Sequence, residues 1–246
     1  MKQKNQETDQ LKIVANENIA IKKQVPEKVE KKTFTDFIYD VGPRFRAIKK
    51  RDVDNAISIA AFFDEKQLQS IVSLKSVNII IIEGKKRTDT KTTGHSNRLT
   101  AAQLKLIQSF DYSTNFLIRA EYQQINKETG ELEDSYSTPH LTIIPEKQAE
   151  YINGKDTLKK FLKENSKKSR TNVDAEELKP AKLYFTITKN GSIENVKLDR
   201  SSGYPLVDEK MIELINNTSG KWKPAENYKG EKIEQELVVS FGLMGC

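Results

Sequence analysis

The sequence predicts an α+β protein with a C-terminal β-β-α-β domain, in which one helix packs on an antiparallel sheet. Two observations carry this prediction. A strand, a tight turn and a return strand occur together near the C-terminus, and a helix and one more strand follow them. A separate group of helices and strands precedes that unit. We therefore predict four segments, which are a disordered linker at 1–33, an α+β module at 34–166, a second linker at 167–179 and a C-terminal domain at 180–246.

The first segment is rich in Lys, Glu, Gln and Asn, and its one short apolar patch is Leu11-Lys-Ile-Val14. Such a segment cannot bury enough apolar surface to offset the entropy that it would lose on ordering. Two compatible interpretations follow, which are a disordered tail and a Pro/Lys/Glu spacer centred on Val25-Pro-Glu-Lys.

The charge pattern bears on the kind of partner. The formal net charge is +6, and 31% of the residues are charged. The lysines are spread along the chain, usually near Glu or Asp, which is not the pattern of a nucleic-acid-binding surface. The sequence therefore predicts no nucleic-acid partner.

The α+β module begins with Phe34, Phe37, Ile38 and Tyr39, which precede a predicted turn flanked by aromatic residues at Val41-Gly-Pro-Arg-Phe45. Helices follow this turn. We predict a helix over the apolar positions of 53–61 and a short helix over 68–72. A run of isoleucines predicts a strand at 76–83 that is buried on both faces. A polar loop through Gly94 follows, and Thr100 is expected to cap the next helix. The remaining predicted elements are a helix through Leu104, Ile107 and Phe110, a strand at 115–123, a turn at 127–130, a return strand at 139–144 and an amphipathic helix at 156–165.

The C-terminal domain opens with a hairpin. Leu183, Phe185 and Ile187 alternate with polar residues, which is the period-two pattern of a half-buried strand. Asn190-Gly191 follows and predicts a tight turn, because the centre of such a turn needs a positive φ. The return strand is less regular, is expected to contain a bulge, and carries Ile193, Val196 and Leu198.

A helix comes next. Ser201-Ser202-Gly203 interrupts the strand, and Pro205 suits the first helical position because an N–H has no intrahelical partner there. Asp208 suits the positive end of the helix dipole. The face predicted to lie on the sheet consists of Val207, Met211, Leu214 and Ile215.

The segment Trp222-Lys223-Pro224 leads from this helix to the last strand. We interpret Trp222 as an apolar plug over the junction of helix and sheet, with an anchor for a ligand as the alternative. The last strand is predicted to place Ile233, Leu237, Val239 and Phe241 on one side and Glu234, Glu236 and Ser240 on the other.

In this order the elements resemble the C-terminal domain of the TonB family of energy transducers. The resemblance spans about 180–242 and rests on Phe185-x-Ile-x-Lys-Asn-Gly191, Ile193-x-x-Val196-x-Leu198, Ser201-Ser202-Gly203, Asp208, Trp222-x-Pro224 and Val238-Val239-x-Phe241. The positions expected to define the fold are Asn190, Gly191, Ser202, Gly203, Asp208, Trp222 and Pro224.

The resemblance implies a periplasmic protein that docks to an outer-membrane TonB-dependent receptor by β-strand addition. It also implies coupling to inner-membrane motor proteins of the ExbB/ExbD type, with nutrient uptake as the result. A three-stranded sheet has two edges, and we expect the last strand to be the docking edge. The expected partner-binding residues are Ile233, Glu234, Gln235, Glu236, Leu237, Val238, Val239, Ser240 and Phe241.

Two points about this edge stay open. Glu234, Gln235 and Glu236 either set the register and repel wrong partners, or are ordinary solvent-facing residues of an edge strand. The same edge could instead pair with its own copy and give a homodimer.

The resemblance also implies an N-terminal inner-membrane anchor. The most apolar run is Val77–Ile82, far short of the twenty or so residues that a membrane span needs. We expect that an anchor has been removed or never existed, and the opening Met1-Lys-Gln-Lys favours removal.

The middle module has a resemblance of its own. Its order of strand, loop, Leu99-Thr100-x-x-Gln103 helix, strand, turn and strand resembles the last domain of the shaft proteins of gliding motility and type IX secretion. That resemblance implies an alternative function, a periplasmic structural or scaffold protein of an envelope machine that uses the C-terminal domain only for assembly.

The sequence predicts no catalytic residue, no metal site, no cofactor and no enzymatic activity. His95 and His140 are the only histidines, and neither lies in a spacing typical of a metal site. Cys246 is the only cysteine, so an intramolecular disulfide is excluded. We interpret it as an exposed thiol without a role, with an intermolecular disulfide as the alternative.

Overall fold

The computed structural model describes residues 37–243, so the predictions for the linker at 1–33 and for Cys246 lie outside the described residues. Fourteen strands are formed within that range. They are β1 Ile38–Gly42, β2 Arg46–Lys49, β3 Ser73–Glu83, β4 Lys86–Gly94, β5 Asn115–Ile125, β6 Leu132–Ser137, β7 His140–Ile144, β8 Glu150–Tyr151, β9 Ala181–Ile187, β10 Ile193–Arg200, β11 Trp222–Lys223, β12 Ala225–Glu226, β13 Lys232–Ile233 and β14 Gln235–Gly242.

Five α-helices accompany the strands in residues 37–243. They are α1 Lys50–Asp54, α2 Glu65–Ser70, α3 Ala101–Gln108, α4 Gly154–Asn165 and α5 Pro205–Asn216, and short 3₁₀ helices occur at Ile59–Ala61 and Lys168–Arg170. The predicted α+β class is confirmed.

The strands build two main sheets. The order in the first is β2-β7-β5-β3-β4, with β6 also paired to β5, and all its pairs are antiparallel except β2 with β7. The second sheet is antiparallel throughout, and its order is β1-β14-β9-β10. The short strands pair separately, β8 with β11 and β12 with β13.

Each main sheet has its own hydrophobic core. The first core lies within 48–143 and includes the fully buried Phe62, Phe116 and Ile107. The second core joins β9, β14 and α5 to three segments from further upstream, which are β1, Tyr151 and the apolar face of α4. Packing therefore places β1 and α4 with the C-terminal core, whereas the predicted boundary at 167–179 assigned both to the middle module.

The C-terminal β-β-α-β order is confirmed, with β9, β10, α5 and β14 in sequence. Leu183, Phe185 and Ile187 are buried on one face of β9 as their alternation predicts. The apolar face of the helix is also confirmed, because Val207, Met211, Leu214 and Ile215 are all buried. The return strand is irregular, with Asn195 at φ +54° where the register shifts.

The turn between β9 and β10 is closed by a second contact. Gly191 has φ +84°, and a Cβ added there would lie 2.2 Å from the carbonyl oxygen of Trp222. Its own carbonyl accepts a hydrogen bond from the N–H of Gly220 at 3.0 Å. Glycine is therefore required twice, for the left-handed backbone and for the close approach of a second chain segment.

Three predictions for the middle module are wrong. The chain at 53–61 is not one helix, because α1 ends at Asp54 and Ile57 is 69% exposed. The polar segment through Gly94 is not a loop but the edge strand β4. The strand that returns after the turn at 127–130 is β6, and the predicted return strand at 139–144 is the separate strand β7.

The predicted cap of α3 is confirmed. The hydroxyl of Thr100 accepts a hydrogen bond from the N–H of Gln103 at 3.2 Å, and the side chain of Gln103 accepts one from the N–H of Thr100 at 2.9 Å. This reciprocal pair is a capping box, and it fixes where the helix begins.

Within residues 37–243, no helix combines the length and the apolar character that crossing a membrane requires.

Candidate functional site

The predicted docking strand is β14, and it lies inside its sheet rather than at an edge. It pairs with β9 on one side, from Gln235 opposite Ile187 to Phe241 opposite Ala181. On the other side it pairs with β1, from Val238 opposite Gly42 to Gly242 opposite Ile38. The expectation of an open edge at the last strand is therefore wrong, because a strand from the other end of the described chain covers it.

The hydrogen-bonding groups on the β1 side can be followed along β14. The N–H of Glu236 donates to Oγ of Ser113 at 3.0 Å and so points away from β9. Groups two residues apart in a strand face the same way, so the N–H groups of Val238, Ser240 and Gly242 face β1. On this side of β14, β1 lies beside the N–H groups of Val238, Ser240 and Gly242. The hydroxyl of Ser113 accepts the hydrogen bond of the next N–H group in line, that of Glu236.

Aromatic side chains hold β1 in place. Phe37, Tyr39 and Val41 are buried in the C-terminal core. The ring of Phe37 stacks on that of Phe241 with centroids 6.5 Å apart, and the Tyr39 hydroxyl forms a hydrogen bond with Ser166. The three apolar side chains occupy alternate positions, as they must if one face of the strand is buried.

The opposite face of β1 carries a carboxylate. Asp40 forms ion pairs with Nζ of Lys155 at 2.8 Å and with Nζ of Lys159 at 3.3 Å, and both lysines belong to α4. Burial opposes ionisation of Asp40, but the hydrogen bonds and charges of the two lysines outweigh it and hold the pKa of that carboxyl below its usual value. The side chain is 61% exposed, so these pairs fasten β1 only weakly.

A cavity lies where β1 ends. Its volume is about 210 Å³, and its wall includes Pro43, Tyr151, Trp222 and Leu237, with Lys155 also among the lining residues. Leu237 is the β14 residue that precedes Val238, the last partner of β1. The cavity is therefore continuous with the edge of β14 that β1 covers.

Gln235 and Glu236 are not ordinary solvent-facing residues. Gln235 is buried, its Oε1 accepts a hydrogen bond from the N–H of Ala149 at 2.7 Å, and its amide group donates to Gln148. Burial raises the pKa of Glu236, although the charge of Arg44 acts in the opposite direction. Ile233 lies outside the strand and pairs with Ala225 in the small β12–β13 hairpin.

The residues expected to define the fold take structural positions. Asp208 is buried and accepts hydrogen bonds from the N–H of Ser202 and the hydroxyl of Ser201, which ties the break before α5 to its first turn. Trp222 is also buried, donates its indole N–H to Thr218 at 3.0 Å and packs against Tyr151. Its burial among core residues is what a plug over the junction of helix and sheet requires. The side chain of Asn190 accepts from Thr188 in the turn.

The other edge of this sheet is β10. Its register with β9 shifts twice, and the N–H of Ile193 is satisfied by the hydroxyl of Ser219 at 3.1 Å. The carbonyl of Asp199 accepts a hydrogen bond from Lys85 at 2.6 Å. Bulges and side-chain contacts of this kind make a strand a poor template for another strand.

In the described part of the chain, no group of three or more His, Cys, Asp or Glu side chains is arranged to hold a metal ion. Each of the two histidines lies within hydrogen-bonding distance of a backbone carbonyl oxygen. Nδ1 of His95 lies 2.9 Å from the carbonyl oxygen of Lys75, and Nδ1 of His140 lies 2.8 Å from that of Thr138.

The residues that sequence reasoning missed are those of β1. The signal was present, because Phe37, Tyr39 and Val41 alternate with Ile38 and Asp40. Five residues are too few to distinguish a strand from aromatic residues before a turn, and the partner strand lies at the far end of the chain.

Comparison with known protein families finds a similarity for one part of the chain. Residues 180–243 match the family model described as the Gram-negative bacterial TonB protein C-terminal. The resemblance predicted for this region is confirmed. The family is a periplasmic, transport-associated domain without enzymatic activity, so the match supports a TonB-like energy transducer in general terms. Neither the curated proteins nor the solved structures gave a match to the chain.

Proposed function

We propose that this chain is the periplasmic part of a TonB-like energy transducer. It docks by β-strand addition to outer-membrane TonB-dependent receptors and passes on force from an inner-membrane proton-driven motor, which drives nutrient uptake. The observation that carries the proposal is the match of residues 180–243 to the TonB C-terminal family. Motor proteins of the ExbB/ExbD type are the proposed partners at the inner membrane.

The proposed docking site is the side of β14 that β1 covers. A receptor segment adds to Leu237–Phe241 after β1 leaves, and Ile233–Glu236 flank the end of the added antiparallel strand. Main-chain hydrogen bonds then supply affinity, and side-chain contacts fix the register. The proposal draws support from the sheet order, because β9 keeps β14 in place when β1 is removed.

The choice of β14 over β10 rests on regularity. The pairing of β14 with β1 runs without a register shift over five residues. The register of β10 shifts twice, and some of its edge groups already have partners. A regular ladder loaded along its length shares force among several hydrogen bonds, which suits a protein that transmits a pull.

The test is a titration of the full chain with synthetic peptides copied from the N-terminal segments of TonB-dependent receptors, followed by NMR. We expect chemical shift changes concentrated in β14 and β1. A matched peptide with proline at its centre serves as the control, because proline cannot donate to a ladder.

Silence across a broad panel of receptor peptides, with the chain folded, would contradict the proposal. It would favour the scaffold function implied by the second resemblance, and the middle module would then be the region to map. If the fraction of dimer rose with protein concentration and did not change when peptide was added, the edge would instead be assigned to a second copy of the chain.

A further inference from the structure

We infer that β1 is an internal substitute for the partner strand, and that it specifies the chemistry of the segment that replaces it. That segment is extended, carries large apolar side chains at four alternate positions and has a carboxylate between the second and the third. The inference rests on the proposed function for its biological meaning, but the evidence for it is the fit of β1 on β14.

The backbone positions define where a partner strand lies. The residues of β14 that bond toward β1 are Val238, Ser240 and Gly242, and Ser113 closes the next position at Glu236. An antiparallel segment that follows the register of β1 meets the same groups. The segment ends before Glu236, because Ser113 already binds the N–H of that residue, so the site takes a short strand.

Three apolar positions follow from the side chains of β1 and of Phe37, the residue directly before it. Phe37, Tyr39 and Val41 all point into the C-terminal core and are at most 6% exposed. A segment that replaces β1 has to refill this space, because a cavity left in a core is destabilising. Large side chains, aromatic at the first two positions, match what is removed.

The fourth position follows from the cavity. If β1 continued in register beyond Gly42, Pro43 would lie opposite Leu237, which is part of the cavity wall. The position opposite Leu237 makes no hydrogen bond to β14, because the N–H of Leu237 faces β9, so the side chain alone decides the contact there. A partner with a large apolar side chain at this position fills the cavity of about 210 Å³. This extra contact is what β1 lacks, and it lets a partner replace a strand that belongs to the same chain.

The carboxylate follows from α4. Lys155 and Lys159 converge on Asp40 at 2.8 and 3.3 Å, and they stay in place on α4 when β1 leaves. A segment with an acidic residue at this position restores both ion pairs. A segment with a basic residue there meets two like charges.

A reversible cross-link between β1 and β14 gives the sharpest test. Asp40→Cys and Ser240→Cys, in a Cys246→Ser background, place the only two thiols of the chain at directly paired residues. Paired residues of an antiparallel ladder have a Cα separation that a disulfide can span. The oxidised form locks β1 in place, and the reduced form of the same protein releases it.

The probe is a labelled synthetic peptide that copies residues 37–43 with Pro43→Leu, and the readout is fluorescence anisotropy. We expect the reduced protein to bind this peptide at least tenfold more tightly than the oxidised protein, because only an open edge is competent. The single variant Asp40→Cys, also with Cys246→Ser, is the control and should not respond to oxidation at low protein concentration. Equal binding by the oxidised and reduced forms would overturn the inference.

The chemistry is tested by varying the peptide against the reduced protein. Restoring proline at the last position should weaken binding about tenfold, since a buried large apolar side chain is worth about that factor. Asp40→Lys in the peptide should weaken it about fivefold, the scale of a surface ion pair. If all three peptides bound alike, β1 would not specify the partner.

A second variant guards against a cross-link that fails to form or that distorts the sheet. Asp40→Lys in the full chain places a third positive charge beside the two α4 lysines and loosens β1. The probe should then bind about threefold more tightly, with the far-UV circular dichroism unchanged. Unchanged affinity in this folded variant would contradict the inference.

The outcomes separate the inference from the proposed function. Binding of the probe, without binding of any receptor peptide, would reject the receptor as partner and keep the exchangeable strand. Equal binding of receptor peptides to the oxidised and reduced forms would contradict the inference about β1, and the proposed transducer function would stand. A reduced protein that dimerises in light scattering and ignores the probe would show that a second copy exchanges β1, which overturns it.

Discussion

The two outer strands of the C-terminal sheet protect their neighbours in different ways. β10 follows β9 directly, is bulged, and has edge groups satisfied by Ser219 and Lys85. β1 pairs with β14 in regular register, and it comes from the opposite end of the described chain. One outer strand is part of a local hairpin, and the other is a distant segment laid along the sheet.

The difference shows two ways in which the edges of one sheet can be closed. Bulges and side-chain caps close an edge permanently, because they spoil the ladder itself. A separate covering strand leaves the ladder intact beneath it. Removing β1 therefore exposes a regular template, whereas removing β10 would dismantle the hairpin that the domain is built on.

Proline substitution should give the largest difference in stability between the inner strand β14 and the outer strand β10. In Leu237→Pro the lost N–H belongs to the ladder with β9, so we expect unfolding to become easier by about 3 kcal/mol or more. In Leu198→Pro the lost N–H faces the outer side of β10, and we expect a loss about 1–2 kcal/mol smaller. Urea denaturation measures both, and equal losses would contradict the assignment of inner and outer strands.

The β9–β10 hairpin, which holds β10 at the edge of the sheet, depends on the turn at Gly191. Gly191→Ala adds a Cβ 2.2 Å from the Trp222 carbonyl at φ +84°, so we expect a loss of about 2–4 kcal/mol. Gly230→Ala, at φ +78° with open space around it, isolates the backbone strain alone and should cost about 1 kcal/mol. Thermal melts of both variants would show whether the contact with Trp222 matters beyond the strain.

On the side of the sheet where β1 pairs with β14, the stability of the folded protein should depend on pH through Glu236. Its pKa is raised by burial, so the folded protein binds its proton more tightly than the unfolded chain does. Stability from this group is therefore present at low pH and is lost as the pH rises from about 4.3 through the folded-state pKa. Glu236→Gln should be more stable than the natural protein at pH 7, by up to about 1 kcal/mol after solvent screening, and equal to it near pH 4. A gain that persists unchanged at pH 4 would contradict the burial argument.

The smallest effect is expected at Asp40, and its sign is opposite. The α4 lysines hold its pKa below the usual value, so the stability that it adds is present above about pH 4 and is lost as the pH falls through the folded-state pKa. Asp40→Asn should cost a few tenths of a kcal/mol at pH 7 and nothing at pH 2. Glu194→Gln on β10 is the control, and denaturation at both pH values measures the difference.

The C-terminal domain could be predicted from sequence because its signals are local. The alternation in β9, the Asn190-Gly191 turn and Pro205 at the start of α5 each act within a few residues. The buried face of the helix follows from one period. These features also carried the family resemblance, which the comparison confirmed.

The covering strand and the middle module could not be predicted in the same way. β1 has its pairing partner at the other end of the described chain, and no local pattern encodes such a distant contact. β4 reads as a loop because it is an edge strand rich in Lys and Thr, with little buried surface on either face. The chain at 53–61 has helical periodicity, but α1 stops after Asp54 and a 3₁₀ helix follows. Tertiary packing decided these outcomes.

The pairing of β1 with β14 also sets the order in which the protein can mature. The ribosome makes the first described strand long before its partner, so β1 waits without a ladder while the whole middle module emerges. Bringing such distant segments together is a slow, non-local step. The C-terminal sheet is therefore completed only after β14 has been made. Throughout translation an exposed stretch of aromatic residues has to be kept from pairing with other chains.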